Sequence, residues 1–272
     1  MGKLKTIKGL FTNGIPFVKF GSGEKKIVVF LGGPGNQLPT GLEFKMYSQG
    51  FIPFKEEYTI YLVTRKSDLP ENYTTRDMSN DYADMIDQDF KGKVDVIVGI
   101  SYGGMILQHF AADHPKKAEH MIIAMAAHKG SEEGMKADER FAKYLSEGKT
   151  ARAYAALTEV FATKGLKKIF YKIVLFIGGL FMGKPEGDTF SSDILTEVKA
   201  EKNHQTKDRL MEISIPLLIL CGDKDYYFPL KYYQEMAELI PDAILEVYPD
   251  KGHDIITIER FTEDIKRFIS SK

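Results

Sequence analysis

One cysteine, Cys221, stands in 272 residues, so no disulfide can close within the chain. That excludes a small cross-linked secreted framework and fits a reducing cytoplasm, the expected compartment. The first residues lack the apolar core of a signal peptide. Charge of one sign is equally scarce. Lys and Arg number 37 against 38 Asp and Glu, a net charge of −1 with no block of like charge, which argues against nucleic acid as a partner. Six scattered histidines show no zinc-ligand spacing, so no metal is expected. No apolar run is long enough to span a bilayer. Ile173–Gly183 carries no charge, but eleven residues are too few and Lys172 and Lys184 bracket them.

What is present is a hydrophobic content of 43%, ample for a core in one large α/β domain or a domain with an insertion. Leu4–Leu10 and Ile15–Phe20 flank Asn13-Gly14, a hairpin signal. Met1-Gly2-Lys3-Leu4-Lys5-Thr6 matches the loose myristoylation pattern M-G-x-x-x-[ST], but such a pattern arises easily by chance and the segment reads as the lead into a first strand. Strands follow at Lys26–Leu31, Tyr58–Thr64, Val94–Val98, His120–Ala127, Pro216–Cys221 and Ala243–Tyr248. Helical spacing marks Arg76–Phe90, Met105–Ala112, Leu230–Leu239 and Ile255–Ile269. This alternation predicts an α/β fold: a mostly parallel sheet with an opening hairpin and helices on both faces.

Between about His128 and Lys207 the alternation stops and the residues favour helix, with apolar parts at Phe141–Leu145, Ala151–Phe161 and Ile169–Met182. The expected division is a core of residues 1–128 and 207–272 and a helical cap of residues 129–206, inserted after the sixth sheet strand. Ile173–Gly183 reads as a cap helix packed on the core, with an acyl-pocket lining through Phe176, or contact with a membrane, as sharper alternatives. Gly178-Gly179 is expected to bend or break that helix.

Chemistry concentrates at Gly99-Ile100-Ser101-Tyr102-Gly103. This G-x-S-x-G pentapeptide follows a β-branched strand and precedes a helix. A serine at such a junction sits on a strained turn with its hydroxyl exposed, and the helix N-terminus favours an anion there. Serine needs a base within hydrogen-bond reach, and the base needs an acid to fix its tautomer. His253, in Asp250-Lys251-Gly252-His253-Asp254 after the last strand, is the base candidate, because imidazole exchanges protons near neutrality. The acid lies in Gly222-Asp223-Lys224-Asp225. Asp225 is preferred, Asp223 competes, and either could merely cap the helix near Leu230.

Ser101, Asp225 and His253, in that chain order and with a glycine-rich loop after an early strand, resemble the α/β-hydrolase superfamily over essentially the whole chain. Gly222-x-x-Asp225-x-x-x-Pro229 and Gly252-His253 are similar to its acid and base neighbourhoods. The resemblance implies that Gly32-Gly33-Pro34-Gly35 is the oxyanion loop. Pro34 has no N–H, so Gly33 is the better donor, paired with the Tyr102 N–H. Two departures stand out. Leu31 occupies the position where many relatives carry a histidine, which predicts a missing loop-orienting hydrogen bond. Arg65-Lys66-Ser67-Asp68 replaces R-G-x-G-x-S. The loop also resembles that of proline iminopeptidases, but no acidic cluster is apparent in the cap to hold a substrate ammonium.

The expected activity is that of a carboxylesterase-like serine hydrolase acting on a small to medium hydrophobic ester through an acyl-enzyme, without metal or organic cofactor. Tyr102, His128 and Phe176 are candidate substrate contacts, though His128 fits a hydrogen-bonded cap hinge better. The same three residues could serve perhydrolysis, carbon–carbon cleavage, or thioester or amide hydrolysis. A ligand-binding module with a vestigial site, or a membrane-associated lipid hydrolase, are readings of other kinds. The expected partner is a small-molecule substrate, with the protein a monomer or homodimer.

Overall fold

The computed structural model describes residues 4–161, 165–182 and 185–271. Met1-Gly2-Lys3 of the acylation pattern, and Gly183 and Lys184 at the end of the uncharged stretch, lie outside the described residues.

Eight strands form one sheet: β1 (Ile7–Leu10), β2 (Pro16–Phe20), β3 (Lys25–Phe30), β4 (Tyr58–Val63), β5 (Val94–Ile100), β6 (Ala118–Ala124), β7 (Leu217–Gly222) and β8 (Ala243–Tyr248). Their order is β1-β2-β4-β3-β5-β6-β7-β8. β2 runs antiparallel to β1 and β4, and β3 to β8 are parallel throughout. The opening hairpin turns at Gly14 (φ 86°). The central strands are buried on both faces, which explains their near-continuous runs of Val, Ile and Leu.

The helices are α1 (Gly41–Gln49), α2 (Thr75–Asp89), α3 (Tyr102–Asp113), α4 (Glu132–Ser146), α5 (Thr150–Ala156), α6 (Thr158–Phe161), α7 (Gly165–Phe181), α8 (Phe190–Lys202), α9 (Leu230–Leu239) and α10 (Glu259–Ser270). Alternating strand residues separate two cores. Val28, Phe30 and Ile97 pack with α2, α3 and α9 through Met78, Tyr82, Phe110 and Tyr233. Ile27, Val29 and Val98 face α10 through Phe261 and Ile265. A capping box starts α2, with the Thr74 hydroxyl accepting from the Asp77 N–H and the Asp77 carboxylate accepting from the Thr74 N–H.

Beyond shifts of a few residues at element ends, three differences from the sequence reading stand out. β6 ends at Ala124 rather than Ala127, because Met125 turns out of the strand at φ 55°. The closing helix is two pieces, a single turn at Ile255–Thr257 and then α10, split by the extended backbone of Ile258. The helix α1 was not expected from the sequence. Its one buried residue is Ser48, so it carries little apolar periodicity to read.

α4 to α8 all lie between β6 and β7. Both ends of this insert are tied to Gln108 on α3. Its amide donates to the Ala127 carbonyl at 3.1 Å, and its carbonyl accepts from the Thr206 hydroxyl at 2.5 Å. The Thr206 N–H in turn donates to the His128 carbonyl at 3.2 Å. Phe141, Leu145, Phe190, Ile194 and Val198 form a small core of the insert's own.

Two features of α7 differ from expectation: no break occurs at the glycine pair, and the apolar stretch is not covered. The helix runs unbroken through Gly178-Gly179. Gly179 serves a close approach instead: a Cβ there would come within 2.7 Å of the Ala151 Cα on α5. The uncharged stretch also does not pack on the core, since Ile173, Ile177, Leu180 and Phe181 are all exposed. Among the described residues no helix is long and apolar enough to cross a membrane.

Candidate active site

Ser101 ends β5 and starts α3 with backbone angles of φ 51° and ψ −118°, a strained conformation for a residue with a side chain. The strain is held from both sides. The Ser101 N–H donates to the Ala124 carbonyl at 2.9 Å, and its carbonyl accepts from the Gly104 and Met105 N–H groups. Gly103 permits the turn, because a Cβ there would overlap the Phe30 carbonyl.

The loops after β7 and β8 deliver the other two residues. The His253 Nε2 lies 2.9 Å from the Ser101 Oγ, and its Nδ1 lies 2.9 Å and 3.1 Å from the Asp225 oxygens. An ionised carboxylate only accepts, so Nδ1 carries the proton and Nε2 is left to accept from the serine hydroxyl. Asp225 does not cap α9, whose start is Pro229 without a side-chain cap. Instead it accepts from the N–H groups of Tyr227 and Phe228 and from the Tyr233 hydroxyl at 2.9 Å. These donors hold the carboxylate in its buried position. Asp223, the competing acid, pairs with Lys224. The rings of Tyr227 and Phe228 flank the imidazole at 4.9 and 5.9 Å.

Burial by itself lowers the His253 pKa. The charge and hydrogen bond of Asp225, with smaller contributions from Asp138 and Asp254, outweigh it and leave the pKa above the ordinary histidine value.

The glycine-rich loop lies against the serine, with a Cβ on Gly32 falling 2.9 Å from the Ser101 Cβ and 3.3 Å from the Tyr47 hydroxyl. Gly33 is in the left-handed region at φ 71°. Tyr102 occupies the first turn of α3, where N–H groups have no partner within the helix. Its side chain is wholly buried, donating to the Glu197 carbonyl at 2.9 Å beneath the Arg65 guanidinium.

Leu31 does not leave the loop unsupported. Arg65 donates to the carbonyls of Leu31 at 3.0 Å, Gly33 at 2.6 Å and Gly35 at 2.5 Å. Its charge is matched by Glu197 of α8 at 3.0 Å, and this pair is 2% and 0% exposed. Glu197 also accepts from the Gly35 N–H. Burial opposes the Arg65 charge, but Glu197 more than compensates and raises its pKa. One helix of the insert thereby grips the loop beside the serine.

The same helix corrects the expectation that the insert has no acidic cluster. Asp193, Glu197 and Glu201 recur every fourth residue and are all buried. Asp193 accepts from the N–H groups of Asp68 and Leu69 and from Asn36. Glu201 lies beside Asp138 of α4, and the Asp138 carboxylate adds to burial in favouring the neutral form of Glu201. Burial pushes both pKa values up. The Tyr227 hydroxyl donates to Asp138 at 2.8 Å, linking the pair to the ring beside His253. Spacing of four on a helix was the available signal, but it reads equally as a solvated face.

His128 stands at the hinge, with Nε2–H donating to Glu235 at 2.9 Å, Nδ1 buried with no partner among the described residues and the pKa lowered by burial. Phe176 is 41% exposed on α7, and among the described residues no hydrogen bond or ring contact ties it to Ser101.

A parallel sheet with an elbow serine, a base and an acid on successive strand ends defines the α/β-hydrolase class. Residues 28–263 match the alpha/beta hydrolase family, and the chain belongs to it. The coarse activity that goes with this membership is hydrolysis. A Bacillus subtilis protein named "Putative 2-succinyl-6-hydroxy-2,4-cyclohexadiene-1-carboxylate synthase" is 25% identical over 207 residues, 70% of this chain and 71% of that one. A Methanothermobacter thermautotrophicus protein named "Probable acyltransferase" is 26% identical over 220 residues, 74% and 68% of the two chains. The solved structure of an esterase from Exiguobacterium antarcticum shares the fold with a TM-score of 0.71 at 22% identity, covering 98% of this chain and 100% of that one.

Proposed function

We propose that the protein is a serine hydrolase that cleaves the ester-type carbonyl of a small to medium hydrophobic substrate through an acyl-enzyme on Ser101. The carrying observation is the hydrogen-bonded line from the Ser101 Oγ to His253 to Asp225, with both links at 2.9 Å. His253 takes the serine proton as Oγ attacks the carbonyl, and Asp225 holds the imidazolium that forms. The N–H groups of Gly33 and Tyr102 receive the oxyanion. His253 then protonates the leaving group, and afterwards activates a water that releases the acid. The insert acts as a cap over this chemistry, through α8.

A fluorophosphonate probe tests the reading. Wild type is expected to label, whereas Ser101→Ala is not, and ester turnover by the variant should fall by roughly 10⁴–10⁶. Equal labelling of both would overturn it. Because the His253 pKa is raised and only neutral imidazole accepts a proton, the acid limb of kcat/KM should lie above about 6.5. A limb at or below that value counts against the Asp225–His253 coupling.

A second reading is favoured by the Asp138–Glu201 pair: Asp138 sits close enough to raise the His253 pKa, and a buried Glu201 oxygen has no partner among the described residues. An acyl substrate bearing an amine would supply the missing cation. It predicts that an amino-acyl ester outperforms its deamino analogue in wild type, and that Asp138→Asn erases the preference. Equal kcat/KM for the two esters in wild type removes this reading.

A further inference from the structure

We propose that α7 is a docking helix for an anionic lipid surface, lying flat on it with its apolar side sunk into the headgroup boundary. The helix is inverted relative to an ordinary surface helix. Its least exposed residues, Lys168, Tyr171, Leu175 and Gly179, recur at spacings of three and four and form one line, the side that packs on α5 and α6. The remaining circumference is apolar and faces outward. Leu166 is 84% exposed, Phe170 62%, Ile173 54% and Phe181 85%. A patch of this extent on one helix marks an interaction surface rather than ordinary surface exposure.

Charge selects the partner. From residue 160 to 185 the sequence holds five lysines and no carboxylate. Lys168 turns inward to Glu159 at 2.9 Å. At 100° per residue, Lys167 and Lys172 fall on opposite edges of the apolar face, and both are exposed. Apolar side chains flanked by lysines match hydrocarbon bordered by anionic headgroups, with the lysine stems reaching up to the phosphates. A second copy of the same face would set lysine against lysine. The helix is 17 residues long and does not qualify as a membrane span, so it lies on the surface and does not cross it.

Flotation of the purified full chain with vesicles decides the matter. Phosphatidylcholine vesicles containing phosphatidylglycerol should carry the protein upward, pure phosphatidylcholine vesicles should not, and added salt should weaken the binding. Phe170→Ser with Phe181→Ser should lower the partition at least about tenfold. Lys167→Gln and Lys172→Gln should each lower it about fivefold. Circular dichroism melting of every variant should match wild type, because the altered side chains are exposed. No flotation of wild type, or flotation unchanged by the phenylalanine pair, overturns the proposal. So does light scattering that shows a dimer which the same pair dissociates.

Discussion

α7 and α8 are neighbours in one insert and depart from the usual inside–outside rule in opposite directions. α8 turns Asp193, Glu197 and Glu201 into the protein, while α7 turns Leu166, Phe170 and Phe181 out of it. On α8 the buried carboxyls are accommodated: Asp193 by backbone N–H groups, Glu197 by Arg65, and Glu201 by burial beside Asp138, which favours its neutral form. On α7 the exposed apolar side chains stay uncovered among the described residues. A buried carboxylate is tolerated only with its partners in place, so α8 is tied to the loop beside Ser101. An exposed apolar face is tolerated by the fold without any partner, so α7 is free to serve something outside.

The largest expected effect is on α8. Glu197→Ala leaves the Arg65 guanidinium buried without its counter-charge and should cost about 3–5 kcal/mol in urea unfolding. The double variant with Arg65→Met should recover much of that stability while esterase activity stays low, because the Leu31, Gly33 and Gly35 carbonyls lose their donor. Restored activity in the double variant would show that Arg65 does not position the loop.

A smaller effect separates the third carboxylate from the other two. Asp138 is pushed up to about 6 by burial, above its ordinary value of 3.8. The native state therefore keeps a proton that the unfolded chain has released, and the pair's contribution to stability falls as pH rises from about 4 to 6. Asp138→Asn removes this titration. Its stability relative to wild type should rise across that window by about 1–3 kcal/mol, read from unfolding midpoints. A constant difference between the two proteins would mean that burial does not raise the Asp138 pKa in the native state.

The smallest effect belongs to α7. Ile173→Ser, at a side chain that is 54% exposed, should shift stability by no more than about 0.5 kcal/mol. A loss near that of Glu197→Ala would mean that the outward face is covered by the protein itself.

Much of the catalytic line was legible because its parts are local. The Ser101 elbow, the acid after β7 and the base after β8 each sit within a few residues of a strand end, and parallel strands deliver their carboxyl ends to one edge. The support around them was not. Arg65 and Glu197 lie far apart in the chain, as do Asp138 and Glu201, and nothing near any of them announces its partner. Leu31 predicted a missing bond only because the donor was sought next door. For Gly178-Gly179, helix propensity was overridden by the contact of Gly179 with Ala151.

By itself the sequence determined which segments are strands, where the chain turns sharply, and which serine and histidine stand at the strand ends, while leaving Asp223 and Asp225 both open as the acid. These depend on apolar periodicity and on glycine, quantities set within a dozen residues. Tertiary structure alone decided which way each helix of the insert faces. Spacing of three and four defines a face without saying what it meets, so the acidic line of α8 and the apolar side of α7 acquired opposite surroundings only when the insert packed on the sheet.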